Sequence, residues 1–388
     1  MSILPPNFTL LQVTPELETG GAEQTTIDVA HAVVKAGGKA LVAARGGRMV
    51  ARLEADGGRL AQMPLQSKNP LTILGNATRL IDLIRREKVS LVHARSRAPA
   101  FSALWAAHAT GVPFIATYHG VYNAKTALKR WYNAVMTRGD LVIANSEFTR
   151  LHVMAEHGIP PDKVVAIPRG VDLTRFEPGL VPGARVEALR RKWGIETGER
   201  RMKILLAGRL TRWKGQRLII DALAKLKAQG DENYLLILAG DDQGREGYRI
   251  ELEGAIAGAG LQNAVKLVGH CDDMPAAYLV CDLAVAPSIE PEAFGRTAVE
   301  PQVMGRAVMA SDLGAQRETV LDGQTGWLVA PGDVEAWAGA LQAAREVGPG
   351  KRAAMGAAGR LRAMKLYSVD AMCEAYLNVY VRVLEARA

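Results

Sequence analysis

The chain has 388 residues, enough for two domains, and its 48% hydrophobic and 23% charged residues are those of a globular protein. Its three cysteines, Cys271, Cys281 and Cys373, are too few and too scattered for a disulfide framework or a zinc site and fit a reducing compartment. No uncharged apolar run reaches membrane-spanning length, and Met1-Ser-Ile-Leu-Pro-Pro-Asn7 lacks the basic and apolar regions of a signal peptide, so a cytoplasmic, soluble or peripheral protein is expected.

In chain order, strand-like apolar runs alternate with helix-like segments. Phe8–Val13 reads as a strand and Gly21–Ala36 as a helix, followed by a strand at Ala40–Ala44. A helix at Leu71–Glu87, a strand at Ser90–His93, a helix at Ala98–Thr110 and strands at Phe114–His119 and Leu141–Asn145 continue the pattern. The Pro- and Gly-rich stretch Phe176–Gly183 breaks it and reads as a linker. The alternation restarts with strands at Lys203–Gly208 and Tyr234–Ala239, a helix at Lys214–Gln229, and strands at Val265–Gly269, Leu283–Pro287 and Ala307–Ala310. This predicts an α/β protein of two doubly wound, Rossmann-like domains whose strand C-terminal edges meet at a ligand cleft. The expected boundaries are 1–178 for an acceptor-side domain, 179–366 for a donor domain, and 367–388 for a final helix.

Glu292-Ala-Phe-Gly-Arg-Thr-Ala-Val-Glu300 carries the most chemistry. A buried strand precedes it and a helix follows from Thr297, so Phe294-Gly295 falls near a helix N-terminus, where free N–H groups and the dipole favour phosphate. One carboxylate stands before the helix and one inside it, a pairing suited to a phosphate and a polyhydroxylated ligand together; it points to a nucleotide-sugar enzyme. Gly20-Gly-Ala-Glu23 opens the first helix, and its glycines permit close backbone approach to a ligand. His119 ends a strand, and reads either as a ligand-facing group at the sheet's crevice or as a structural histidine. Arg209 and Lys214, in the turn after a strand, suit a diphosphate; the alternative is a solvated basic loop. Dinucleotide and phosphate-loop fingerprints, a nucleophile elbow, a metalloprotease helix and an Asp-x-Asp element are all missing from the sequence, so neither a nicotinamide cofactor nor a metal is expected.

The excess positive charge is concentrated in residues 1–180, which carry 21 Lys+Arg against 14 Asp+Glu. It suits an anionic membrane, a phosphorylated acceptor or a nucleic acid, or else reflects an Arg-rich composition alone. Within it, Lys125–Arg138 places Leu128, Trp131, Tyr132 and Val135 at helical spacing among Lys125, Lys129, Arg130 and Arg138. Such a segment either lies on an anionic membrane or packs its apolar face against the core.

Taken together, Gly20–Glu23, His119, Asn145-Ser-Glu-Phe-Thr149, Ile167-Pro-Arg-Gly-Val-Asp172, Gly208-Arg…Lys214-Gly215, Glu292–Glu300, Ser311–Glu318 and Asp322–Gly332 resemble the family-4 retaining glycosyltransferases of GT-B fold. The resemblance spans essentially the whole chain and implies roles position by position. Arg209 and Lys214 would bind the donor diphosphate, Glu292 the donor sugar, and Glu300 the ribose. The Phe294-Gly295 backbone would lie near sugar and phosphates, His270 and Cys271 near the base, Gly20 and Gly21 by the phosphate, and His119 by the reacting centre. Arg296 stands where the family often has an apolar residue, and is a candidate donor contact. The final helix would cross back to the N-terminal domain. No metal is implied; the co-substrates are a UDP- or GDP-sugar and an envelope glycolipid, lipopolysaccharide-core or oligosaccharide acceptor at the inner membrane face, with 125–138 as the membrane contact. A sugar-nucleotide epimerase or phosphorylase on the same frame, and a non-catalytic sugar-binding protein, are the alternatives; no nucleic-acid motif supports a nucleic-acid partner.

Overall fold

The computed structural model describes residues 4–387 apart from Thr19, Asn123 and Arg245; Met1–Ile3 of the leader reading and Ala388 of the final helix lie outside the described residues. The described chain divides into two compact units, one running up to Gly170 and resuming at Val369, the other spanning Val171–Ser368.

In the first unit, seven parallel strands form one sheet: β1 Thr9–Val13, β2 Lys39–Ala44, β3 Arg59–Gln62, β4 Leu91–Ala94, β5 Phe114–Tyr118, β6 Leu141–Ala144 and β7 Val164–Ala166, in the order β3-β2-β1-β4-β5-β6-β7. The strand order reverses between β1 and β4, which opens a crevice at their C-terminal ends. β1, β4, β5 and β6 are buried along their whole length because helices cover both faces of the sheet, which is why they read as continuous apolar runs. Local chemistry sets the helix limits. Asn69 accepts from Leu71 N and Pro70 occupies the first turn of Pro70–Glu87, while Gly111 adopts the left-handed conformation that ends Arg97–Thr110.

The final helix, Val369–Glu385, belongs to this first unit, as the resemblance implies. It packs against Gly21–Lys35 and buries Met372, Cys373, Tyr376, Tyr380 and Val383 in the core beside β1 and β2. Each such apolar side chain contributes roughly 1.5–3 kcal/mol over exposure. Beneath it lies a polar network. His93 hydrogen-bonds Tyr380 Oη at 2.9 Å and Thr117 Oγ1 at 2.7 Å, and Arg95 donates to Gln12 Oε1 with its guanidinium 4.8 Å from the Tyr376 ring centre.

The second unit has six parallel strands: β8 Met202–Ala207, β9 Tyr234–Ala239, β10 Val265–Gly269, β11 Leu283–Ala286, β12 Val308–Ser311 and β13 Gly326–Val329, in the order β10-β9-β8-β11-β12-β13. Its switch point lies between β8 and β11. Phe176 and Val181 of the Pro/Gly-rich stretch are buried in this unit's core, and Glu177 pairs with Arg360 at 2.6 Å. The chain crosses between units at two neighbouring points, since Val171 bridges Ser368.

Candidate active site

In the second unit the sites read from sequence gather at the exits of β8, β10 and β11. Gly215, in the left-handed conformation (φ 77°), closes the turn carrying Arg209 and Lys214; a Cβ there would stand 2.0 Å from the Pro287 carbonyl oxygen. That close approach holds the β8 loop against the β11 loop. Lys214 Nζ then reaches Glu292 Oε1 at 2.5 Å, and Ser288 Oγ donates to the same oxygen at 2.8 Å. Glu292 is 9% exposed, and its carbonyl accepts from Ala315 N at 3.0 Å, so the Ser311–Ala315 turn props it from below. Among the described residues its Oε2 accepts no hydrogen bond.

Glu300 lies on the helix Arg296–Val303, which starts at Gly295 in the left-handed conformation. Tyr278 Oη donates to Glu300 Oε2 at 3.1 Å, and Arg296, one turn back, pairs with Oε1 at 3.0 Å. Burial and the adjacent carboxylate push the Tyr278 phenol well above its usual range, so it stays a donor. Arg296 therefore has a defined place as the ion-pair partner of Glu300. Phe294 points its ring into the core, edge-on to Tyr367 at 5.6 Å; only its backbone stands at the helix N-terminus.

A cavity of about 290 Å³ opens beside Tyr278 and Glu300. Gly208, Arg209, Gln243, His270, Cys271 and Glu300 are among its lining residues. Arg209 NH1 lies 3.4 Å from Gln243 Oε1, and Gln216 Nε2 holds the Arg209 carbonyl at 2.8 Å. His270 is exposed and bonds Asp272 at 2.8 Å, while burial raises the Cys271 thiol.

The first-unit residues form their own cluster at the exits of β1 and β5. Gly20 caps the helix Gly21–Lys35 with no side-chain hydrogen bond, and a Cβ at Gly21 would lie 2.0 Å from Arg169 NH1, so the Arg169 guanidinium sits against that N-terminus. Arg169 NH2 also reaches the His119 carbonyl at 3.4 Å, and Asn145 Nδ2 braces the same oxygen at 3.1 Å. Burial, with Arg169 and Arg95 nearby, holds the His119 imidazole well below its usual range, so the ring is neutral at pH 7. Its Nε2 has no hydrogen-bond partner among the described residues.

The Lys125–Arg138 segment packs part of its apolar face against the core. It forms a helix, Ala127–Asn133, and a 3₁₀ turn, Ala134–Thr137. Val135 and Met136 are buried in the core, whereas Leu128 is 75% and Trp131 54% exposed. Leu128, Lys129, Trp131 and Tyr132 border a cavity of about 560 Å³ with Lys68 and Arg97, at the exits of β1 and β4.

Sequence reading missed Tyr278, Ser288, Gln243 and Arg169. Tyr278 lies in the apolar run Ala276–Val280 and gives no polar signal there. Arg169 was visible only as part of Ile167–Asp172.

Two doubly wound units, the second with paired carboxylates and cations at its strand exits, define a glycosyltransferase of GT-B architecture. Residues 19–175 match the family described as Glycosyltransferase Family 4, and residues 186–362 match Glycosyl transferases group 1. The chain belongs to the family-4 GT-B glycosyltransferases. A glycosyltransferase from Rickettsia africae is 33% identical and superposes with a TM-score of 0.90 over 98% of this chain and 99% of its own. Anabaena HepE, solved with UDP and glucose, is 24% identical with a TM-score of 0.82 over 97% and 100%, a likeness of fold. A D-inositol 3-phosphate glycosyltransferase from Salinispora tropica is 28% identical over 291 residues, 70% of this chain and 59% of that relative. The match thus spans about three fifths of that relative's length.

Proposed function

We propose that the protein is a retaining, metal-independent hexosyltransferase that uses a nucleotide-diphosphate sugar and an anionic, lipid-linked acceptor of the cell envelope. The observation that carries the donor half is the Lys214–Glu292–Ser288 cluster beside the cavity bordered by Arg209 and Glu300. In this reading the base and ribose enter that cavity, Glu300 takes the ribose hydroxyls, and Arg209, Lys214 and the helix N-terminus at Gly295 meet the diphosphate. Glu292 Oε2 takes a hydroxyl of the donor sugar; in the first unit, the neutral His119 has an Nε2 without a hydrogen-bond partner among the described residues. The acceptor oxygen bonds to the anomeric carbon on the face the diphosphate leaves, the bond from that carbon to the phosphate oxygen breaks, and the acceptor proton passes to the departing diphosphate. Positioning and stabilisation of the leaving charge are the main work.

The acceptor reading is supported by the cavity in which Lys68, Arg97 and Lys129 accompany the exposed Leu128 and Trp131, a lining that suits an amphipathic anion and peripheral contact with an anionic membrane. Among the described residues no helix is long and apolar enough to cross a membrane. The Salinispora relative's name supplies the competing acceptor, a phosphorylated polyol, which the same cations would accept without a lipid.

The test offers UDP- and GDP-hexoses with anionic lipid extract or with inositol 3-phosphate, with and without EDTA, and records nucleotide release and product anomeric configuration. Lipid-dependent release with retained configuration and no EDTA effect is expected. An inverted product would sink the retaining assignment, EDTA inhibition the metal independence, and transfer to inositol 3-phosphate in place of lipid the envelope role.

A further inference from the structure

The second unit holds another cavity, of about 810 Å³, that the donor reading does not use. Its volume lies within the range of about 300–1,000 Å³ typical of small-molecule clefts. Its walls come from three strand exits: Thr211, Arg212 and Trp213 after β8, Glu246 and Tyr248 after β9, and Glu290 after β11. The β8 and β11 walls are tied together, since Ile289 N donates to Trp213 O at 2.8 Å. They are also continuous with the donor cluster: Trp213 precedes Lys214, whose Nζ lies 4.3 Å from the indole centre, and Glu290 stands two residues before Glu292.

The lining differs in kind from the donor cavity. Arg212 is neutralised by Glu251 at 2.5 Å and lies over the Tyr248 ring, 5.4 Å from its centre. Glu246 and Glu290 are exposed and make no ion pair among the described residues. Among the described lining residues the balance is acidic, which disfavours a phosphate or phospholipid head group, whereas the donor cluster is cationic. Thr211 is 8% exposed and lines the cavity, and its buried hydroxyl has no hydrogen-bond partner among the described residues. Such a group costs stability unless a ligand or solvent satisfies it. An indole, two unpaired carboxylates and a buried hydroxyl answer the two faces of an uncharged sugar: its C–H surface packs on an aromatic ring, and its hydroxyls donate to carboxylates.

We propose that this groove is a binding subsite for an uncharged oligosaccharide, with a sugar ring on Trp213 and its hydroxyls shared among Glu246, Glu290 and Thr211. The subsite lies on the loops that carry Lys214 and Glu292, so a glycan bound there is held beside the donor machinery. The choice of ligand class rests on the glycosyltransferase reading.

The test titrates the whole protein by calorimetry with maltotriose, cellotriose and mannotriose, and separately with UDP. At least one trisaccharide is expected to bind. Trp213→Ala is expected to weaken it about tenfold or more. The double variant Glu246→Gln, Glu290→Gln, which spares every residue placed in the donor site, is expected to weaken it about fivefold while UDP affinity stays within about twofold. The proposal is overturned if no trisaccharide binds, if binding survives in both variants, or if glucose 1-phosphate displaces the trisaccharide as well as glucose does. Trisaccharide binding without sugar transfer from any donor would count against the proposed function and leave the subsite standing; transfer without trisaccharide binding would do the reverse.

Discussion

Lys214 and Glu292, 78 residues apart in sequence, meet Nζ to Oε1 at 2.5 Å with side chains only 14% and 10% exposed. The contact ties the β8 loop to the β11 loop and holds the Lys214 cation against a nearly buried carboxylate. It has two separable consequences, one for folding and, under the proposed function, one for the leaving diphosphate.

Lys214→Ala removes both. Losing one partner of a buried pair costs on the order of 3–5 kcal/mol, because the remaining charge is stranded. Losing a cation at the leaving group costs turnover about 10²–10³-fold. The double variant Lys214→Ala, Glu292→Gln strands no charge, so thermal stability is expected to recover much of its loss while turnover stays low. Melting temperature and initial transfer rate, measured on both variants and on Glu292→Gln alone, separate the two effects, the single Glu292 variant giving the loss due to the donor sugar. If turnover returned along with stability, Lys214 would be structural only.

Glu300 is held from two sides, by Tyr278 and by Arg296. If it grips the ribose, Glu300→Ala should weaken UDP binding by about ten- to a hundredfold, the loss of charge-assisted hydrogen bonds. The same variant should bind UDP and its 2′,3′-dideoxy analogue alike, whereas the native protein prefers UDP. Tyr278→Phe leaves the Arg296 pair in place and should cost only a few-fold. Equal preference for the two nucleotides in the native protein would remove Glu300 from the ribose.

The strands that position these groups were legible because each, buried on both faces, writes itself as an unbroken apolar run; Tyr234–Ala239 is the plainest case. The candidate cations and carboxylates followed from where those runs end. The edge strand β3 was not legible: Arg59–Gln62 is at most half-buried and carries no apolar run. Neither was the helix Gly348–Leu366, which begins Gly-Pro-Gly, residues that signal a turn rather than a helix start. Tyr278 and Ser288 escaped for another reason. Their roles are set by a partner 22 residues away in one case and by the β11 turn in the other, and a side chain's partner is a tertiary fact. The partner of Arg296, by contrast, is local: Glu300 stands one turn along the same helix, an i,i+4 spacing that the sequence itself carries.

Gly215 offers a test of the loop geometry alone. Its φ of 77° and the Pro287 carbonyl 2.0 Å from any Cβ mean that Gly215→Ala meets both backbone strain and a clash. A destabilisation of about 1–3 kcal/mol is expected from overpacking. Since the clash parts the two loops, the Lys214–Glu292 contact lengthens and transfer falls more than it does in Gly230→Ala, where a Cβ meets nothing within 4 Å at a similar φ of 85°. Comparing the two variants for melting temperature and transfer rate isolates the contact with Pro287; equal losses in both would show that conformational strain alone accounts for the effect.

The first unit carries a pH signature of its own. Burial holds His93 well below its usual range, with Arg95 adding to the effect, and His119 shifts the same way. Unfolded, both rings take up a proton near pH 6.5; folded, they do so only at lower pH. Between those values the unfolded chain binds more protons, so stability is full above pH 6.5 and falls as the pH drops below it. Each ring contributes a slope of about 1.4 kcal/mol per pH unit, or roughly 2.7 for the pair. His157, also lowered by burial, acts in the same direction. Carboxylates held low by arginine partners, such as Glu147 and Glu199, are lost from the ledger only below their ordinary value of 4.5, so the interval from pH 6.5 to 5 belongs mainly to the histidines. Urea denaturation across that interval should show stability falling with acid, and His93→Gln should flatten the curve by removing one titrating ring, at the cost of a lower plateau from its lost bonds to Tyr380 and Thr117. A native stability that stayed level from pH 6.5 to 5 would mean that the buried rings protonate as easily in the folded chain as in the unfolded one.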